Sequence, residues 1–177
     1  MLNEKKDVWL NYLALTTVIF AVCATLSTFK GGGFSTKSII TQAQASDEWA
    51  YYQSKGIKSY IYQLQAEKLE LDLMGLSPDA AKLSAIYMDK IADYKKKIEK
   101  YEKEKTEAQE KAKSLEAVRD EAQIHSKAFG IAVIYLQIAI LLSSIAGLLK
   151  KKALWLGGVG AGLVGLVYFA DGFLVFI

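Results

Sequence analysis

Cysteine, proline and histidine each occur once in the 177 residues, as Cys23, Pro78 and His125. A single cysteine excludes an intrachain disulfide and a thiolate metal cluster. A single histidine excludes a metal site built from several imidazoles of one chain. Cys23 lies in an apolar run, where a free thiol behaves as a small hydrophobe, and Val22 before it does not suit a lipoprotein signal. Charge of one sign is also missing. Residues 46–127 carry 15 Lys or Arg against 16 Asp or Glu, and the whole chain has a formal charge of +3. Such a balanced surface lacks the basic stripe that a nucleic acid needs. Ser, His and Asp fall in no nucleophile-elbow or zincin pattern. The expectation is a non-enzymatic protein with no catalytic, cofactor-binding or metal residues and no nucleic-acid partner.

What is present is apolar sequence in three blocks and charge in one, and a mean hydropathy of +0.16 hides this division. Residues 8–29 and 128–149 are free of charge. Each run is long enough to cross about 30 Å of hydrocarbon as a helix. Residues 153–177 form a third run, interrupted by Asp171. The fold class predicted is all-α: an integral membrane protein with three transmembrane helices and an inserted long antiparallel helical hairpin, a coiled coil, over 46–127. The first run exceeds the core of a signal peptide. Ala43-Gln44-Ala45 lies well past that run, so an uncleaved anchor is expected.

Lys5, Lys6 and the triplet Lys150–Lys152 share one membrane face in this topology. Basic residues beside short loops mark the cytoplasmic side. The hairpin is therefore expected on the periplasmic or extracellular face. Between the first run and the hairpin, residues 30–45 read as a linker and helix start, because Gly31-Gly32-Gly33 offers neither helix propensity nor packing. Thr41 with Gln44, or Ser46 with Asp47 and Glu48, would open the helix that follows. A turn is predicted near 75–79, with Gly75 left-handed at the helix end, Ser77 capping and Pro78 in the first turn of the next helix.

Spacings of three and four link Tyr87, Ile91, Tyr94, Ile98 and Tyr101, and continue through Lys105, Ala108, Ala112 and Leu115. Ile57, Ile61, Leu64, Lys68 and Leu71 show the same rhythm on the first arm. Together they form the predicted hairpin seam. Asp93–Lys97, Glu99–Lys103 and Glu107–Lys111 add charge pairs one turn apart. The second arm is longer than the first, so Ala108, Ala112 and Leu115 in its membrane-proximal part need either the extended stretch 30–42 or another subunit to cover them, and a homo-oligomer is the favoured expectation. Trp49, Tyr51, Tyr52, Tyr60 and Tyr62 are either an interface with a second surface or a thick hairpin core.

Gly160 to Gly165 matches a dinucleotide fingerprint in letters, but that motif needs a preceding strand. Inside an apolar run, Gly158, Ala161, Gly162 and Gly165 instead give small-residue packing. Ala139, Ser143 and Gly147 form a matching stripe on the second run, and Ala14, Thr17, Ala21 and Thr28 bring in the first. Asp171 and Gln137 are the candidate intramembrane polar groups. Asp171 serves either an ion or proton role, an interfacial cap or an interhelical hydrogen bond, and Gln137 helix–helix contact. His125 is expected as a surface residue at the membrane edge.

The stretch Gln44-Ala45-Ser46-Asp47-Glu48-Trp49-Ala50-Tyr51-Tyr52-Gln53-Ser54-Lys55-Gly56-Ile57-Lys58 resembles the signature of a membrane-protein family, domain of unknown function 4337. The resemblance covers most of the chain: anchor, motif, Lys/Glu-rich helical region and two closing spans around a basic cluster. It implies a bacterial inner-membrane location and no known activity. The chain departs from the family pattern in lacking a histidine-rich N-terminal tail, so no metal role attached to such a tail carries over. The functional expectation is an oligomeric membrane scaffold that contacts lipid and itself. The alternative is an accessory subunit of a channel or transporter whose oligomer forms a pore.

Overall fold

The structure is a computed structural model that describes residues 8–77 and 79–176. Its described residues form three helices and no strand: α1 (Val8–Met74), α2 (Ala81–Leu149) and α3 (Lys152–Leu174). All three are long and apolar enough over part of their length to cross a membrane. Contacts divide the chain into two units, one from the described residues up to Ile40 and from Val118 onward, the other Thr41–Ala117. Lys5 and Lys6 lie outside the described residues.

In the first unit the core is small. Phe20 and Ala24 of α1 meet Ala132, Leu136 and Ala139 of α2. From α3, Gly158, Gly162, Gly165 and Gly172 are buried. Their missing side chains are what admit the larger ones. A Cβ on Gly165 would stand 2.8 Å from Leu136, and one on Gly172 2.7 Å from Phe129. Ala139 and Ser143 are fully buried; Ala161 and Gly147 are half-buried. Small residues at such contacts let the helix backbones approach closely.

Residues 30–45, expected as a linker with a flexible joint at the three glycines, are helical throughout as part of α1. Packing outweighs propensity here. Gly31 is buried, a Cβ on it would lie 3.0 Å from that of Phe129, and its carbonyl accepts a hydrogen bond from Ser126 Oγ at 3.1 Å. Helix propensity lost at a glycine is about 1 kcal/mol, which a close interhelical contact offsets.

α1 ends at Met74 and α2 begins at Ala81, and the end of α1 does not take the left-handed form expected at Gly75. Among the described residues no glycine has a positive φ. Gly75 N–H instead donates to Asp72 O at 3.2 Å and Leu76 N–H to Leu73 O at 3.3 Å, closing the helix with tight terminal turns. Ser77 supplies its carbonyl to Ala80 N–H at 3.0 Å, and Pro78 lies outside the described residues. The other connection is two residues long. Lys150 takes φ 49°, and Lys151 N–H reaches back to Ala146 O at 3.1 Å, a Schellman closure with lysine where glycine is usual.

Candidate functional site

No group of three or more metal-capable side chains occurs among the described residues. The chemistry of this chain lies in its helix faces. Within Thr41–Ala117, contacts between α1 and α2 run in opposite order. Trp49 Nε1 donates to Glu116 Oε1 at 3.0 Å. Lys55 pairs with Glu104 and Lys95 with Glu70. Tyr62 stands 5.4 Å from Tyr94 and stacks at 5.8 Å on Tyr101.

Tyr87, Ile91, Tyr94, Ile98 and Tyr101 of α2 are buried or half-buried. On α1 the face toward them is not the expected one. Ile57, Ile61 and Leu64 are exposed, at 61%, 51% and 64%. The inward residues are Ala45, Tyr52, Gly56, Ser59, Tyr62 and Ala66, all buried or half-buried. The reason is volume. Where bulky α2 residues fill the seam, α1 faces them with small ones placed between its own Tyr52 and Tyr62; Gly56, for instance, leaves room for the Lys105 stem, 4.0 Å from where a Cβ would sit. Both faces of α1 repeat with spacings of three and four, and hydropathy alone selects the outer one.

This seam is polar and aromatic together. Lys55 Nζ sits 4.5 Å from the centre of the Tyr51 ring and 5.3 Å from Tyr101. Lys97 lies over Tyr62 and Lys105 over Tyr52, at 5.2 and 5.5 Å. Such cation–π contacts add roughly 0.5–1 kcal/mol each at exposed sites. The Lys55 hydrogen bond holds the Glu104 carboxyl below its ordinary value, and Glu104 in turn raises Lys55. Ser59, followed by Lys105, lowers Glu102. Lys111 turns away from Glu107 on its own helix and pairs with Glu48 of α1.

Ala108 and Ala112, for which a cover from residues 30–42 or from a second subunit is expected, are buried inside this unit. The first arm does not run out, because α1 is helical through Ala45, itself fully buried. The aromatic group divides. Trp49, Tyr52 and Tyr62 contribute to the seam, whereas Tyr60 is exposed beside Ile57, Ile61 and Leu64. That exposed apolar stripe was missed as a surface; its signal was the same heptad rhythm, assigned to the wrong side.

In the other unit, Asp171 is 4% exposed. Its Oδ1 accepts the Phe176 N–H at 2.7 Å and its carbonyl accepts that of Val175 at 2.8 Å, so it caps the end of α3. His125 is not a plain surface residue. It stacks 4.5 Å from Phe34, and its Nδ1 lies 2.8 Å from Gly172 O, which makes Nδ1 the protonated nitrogen. Gln137 is exposed on α2 and Ser143 fully buried, so the two do not share a face. Trp155 Nε1 donates to Thr16 Oγ1 at 3.2 Å, and its ring lies 6.2 Å from Trp9.

These features define a class: an all-helical chain with three helices of membrane-crossing length and apolarity, and a charge-rich helical segment inserted in its sequence. Residues 9–175 match the family described as domain of unknown function (DUF4337), and the chain belongs to that family. Neither a curated protein nor a solved structure matches it.

Proposed function

We propose that this protein is a non-enzymatic oligomeric scaffold of a bacterial cytoplasmic membrane. Three spans anchor it, with Lys150–Lys152 in the cytoplasm, and Thr41–Ala117 forms an antiparallel coiled-coil hairpin on the outer side, where it self-associates. The observation that carries this reading is the exposed stripe of Ile57, Tyr60, Ile61 and Leu64 on α1. A segment with 13 basic and 14 acidic residues has no intrachain use for four large apolar side chains in water. Contiguous exposed apolar surface of several hundred Å² marks an interaction site.

The small-residue faces of the spans support the anchoring role. The same basic triplet that orients the chain stands beside an aromatic pair, Trp9 and Trp155, of the type that seats at a bilayer interface. The test is mass in mild detergent or native-like lipid. Wild type is expected as an oligomer, and an Ile57→Lys, Leu64→Lys double variant as a folded monomer. A wild-type chain that is monomeric at all concentrations sinks the proposal. Conductance from the purified oligomer in planar bilayers would favour a pore instead.

A further inference from the structure

Lys127 of α2 and Asp171 of α3 line the two walls of one cavity of about 440 Å³. Ile124, Ile131, Tyr168 and Val175 make up most of the remaining lining. The two helices run antiparallel here, since Leu136 approaches Gly165 and Phe129 approaches Gly172. The two charged residues therefore share one level, with Ile131 and Tyr168 together about one turn away along the helices. Lys127 is the last charge before the charge-free run 128–149. With that run as a span the cavity lies at the membrane edge, Ile131 and Tyr168 on its deeper side, and the inference rests on that part of the proposed function.

Asp171 is almost fully buried. A carboxylate at the edge of hydrocarbon is costly in its charged form unless a cation and hydrogen-bond donors meet it. One donor is the Phe176 N–H, and a carboxylate accepts more than one bond. On the deeper side Tyr168 stacks on Tyr135 with ring planes 3° apart. Neither of these hydroxyls has a hydrogen-bond partner among the described residues. A phenol in hydrocarbon without a partner is disfavoured, and tyrosine is at home where its ring meets acyl chains and its hydroxyl meets polar headgroup atoms. The walls thus hold an acceptor for a cation, a cation for an anion, and phenolic donors one level down, all set among apolar side chains.

We propose that this cavity binds one phospholipid with a primary-amine headgroup. The ammonium meets Asp171, the phosphate meets Lys127, the ester carbonyls accept from the tyrosines, and an acyl chain lies along Ile131. Charge complementarity selects this occupant. A metal cation is opposed by Lys127 and leaves the apolar walls unused. An anionic lipid brings no positive group to Asp171. A choline headgroup brings the charge without an N–H, whereas a primary ammonium carries three donors.

The test uses the full chain in vesicles of phosphatidylcholine with equal minor fractions of phosphatidylethanolamine and phosphatidylglycerol, extracted in mild detergent for native mass spectrometry. Phosphatidylethanolamine is expected to remain on the chain several-fold more than either other lipid, corrected for its share of the vesicle. Asp171→Asn keeps an oxygen for the Phe176 N–H and should lose the preference over phosphatidylcholine. Lys127→Met, a change at an exposed residue, should lower phosphatidylethanolamine retention several-fold without touching the cap. Lys30→Met alters an exposed lysine of α1 outside the cavity and should change nothing. Circular dichroism checks that each variant is folded, and Lys127→Met decides alone if Asp171→Asn is not. Equal retention of phosphatidylethanolamine and phosphatidylcholine overturns the inference. So does a preference for phosphatidylglycerol, or a preference that the cavity variants leave intact. An inserted oligomer without lipid preference overturns this site and leaves the scaffold reading standing; a monomer that keeps the preference does the reverse, and a chain that does not insert overturns both.

Discussion

Gly162 of α3 lies against the ring of Phe20 so closely that no side chain could replace its hydrogen without moving that ring. Phe20 is buried and part of the core of its unit, so it has little room to retreat.

Gly162→Ala is therefore expected to destabilise the helix packing by about 1–3 kcal/mol, the usual cost of overpacking. Gly160→Ala is the control, since a Cβ there meets nothing within 4 Å. It should be neutral or stabilising by up to about 1 kcal/mol through helix propensity. Thermal unfolding midpoints of the two variants in one detergent decide the matter.

Ala112 is fully buried, whereas Leu64 is exposed. Ala112→Leu is expected to lower the stability of the Thr41–Ala117 unit by about 1–3 kcal/mol. Leu64→Ala should leave the monomer's stability within about 0.5 kcal/mol. Hydrogen exchange at the amides around Ser59 and Tyr101 reads this directly. Equal loss of protection in both would restore the outer stripe to the core.

The lowered carboxyls set the response to acid. Glu104 is held down first by its hydrogen bond from Lys55, Glu102 by those from Ser59 and Lys105. Their contribution is full above the ordinary value of 4.5 and is lost as pH falls through the lower folded values. Lys55 is raised, so its contribution is present below 10.5 and is lost as pH rises through the higher folded value. The denaturant midpoint should be flat across neutral pH and fall at both ends. Glu104→Gln should weaken both limbs, because it removes the acid group and the partner of Lys55 together.

Tyr94→Cys and Lys151→Cys, each in a Cys23→Ser background, are expected to react with an impermeant maleimide from opposite sides of sealed vesicles. Labelling of both from one side would remove the three-span topology.

Much of the architecture was legible in the sequence. The charge-free runs mark the apolar parts of three long helices, and Tyr87, Ile91, Tyr94, Ile98 and Tyr101 of α2 are buried or half-buried. The face of α1 was not legible, because two faces of one helix carry the same repeat and the inward one is built of Ala45, Gly56, Ser59 and Ala66. Hydropathy ranks those residues below Ile57 and Leu64; only their volume against Tyr101 and Lys105 distinguishes them. The helical state of Gly31 was hidden for a related reason, since its partner Phe129 is 98 residues away in sequence. Asp171 was visible as an oddity, but its role as a cap depends on the backbone of Val175 and Phe176 turning back on it.

The two-residue connection between α2 and α3 leaves no slack. One residue inserted between Lys150 and Lys151 and absorbed into α3 would rotate that helix by about 100°. Gly158, Gly162 and Gly165 would then swing off Ser143, Phe20 and Leu136. The phase of the last helix is thus fixed by loop length as firmly as by any side chain, and insertions or deletions at this point should be far less tolerated than lysine substitutions.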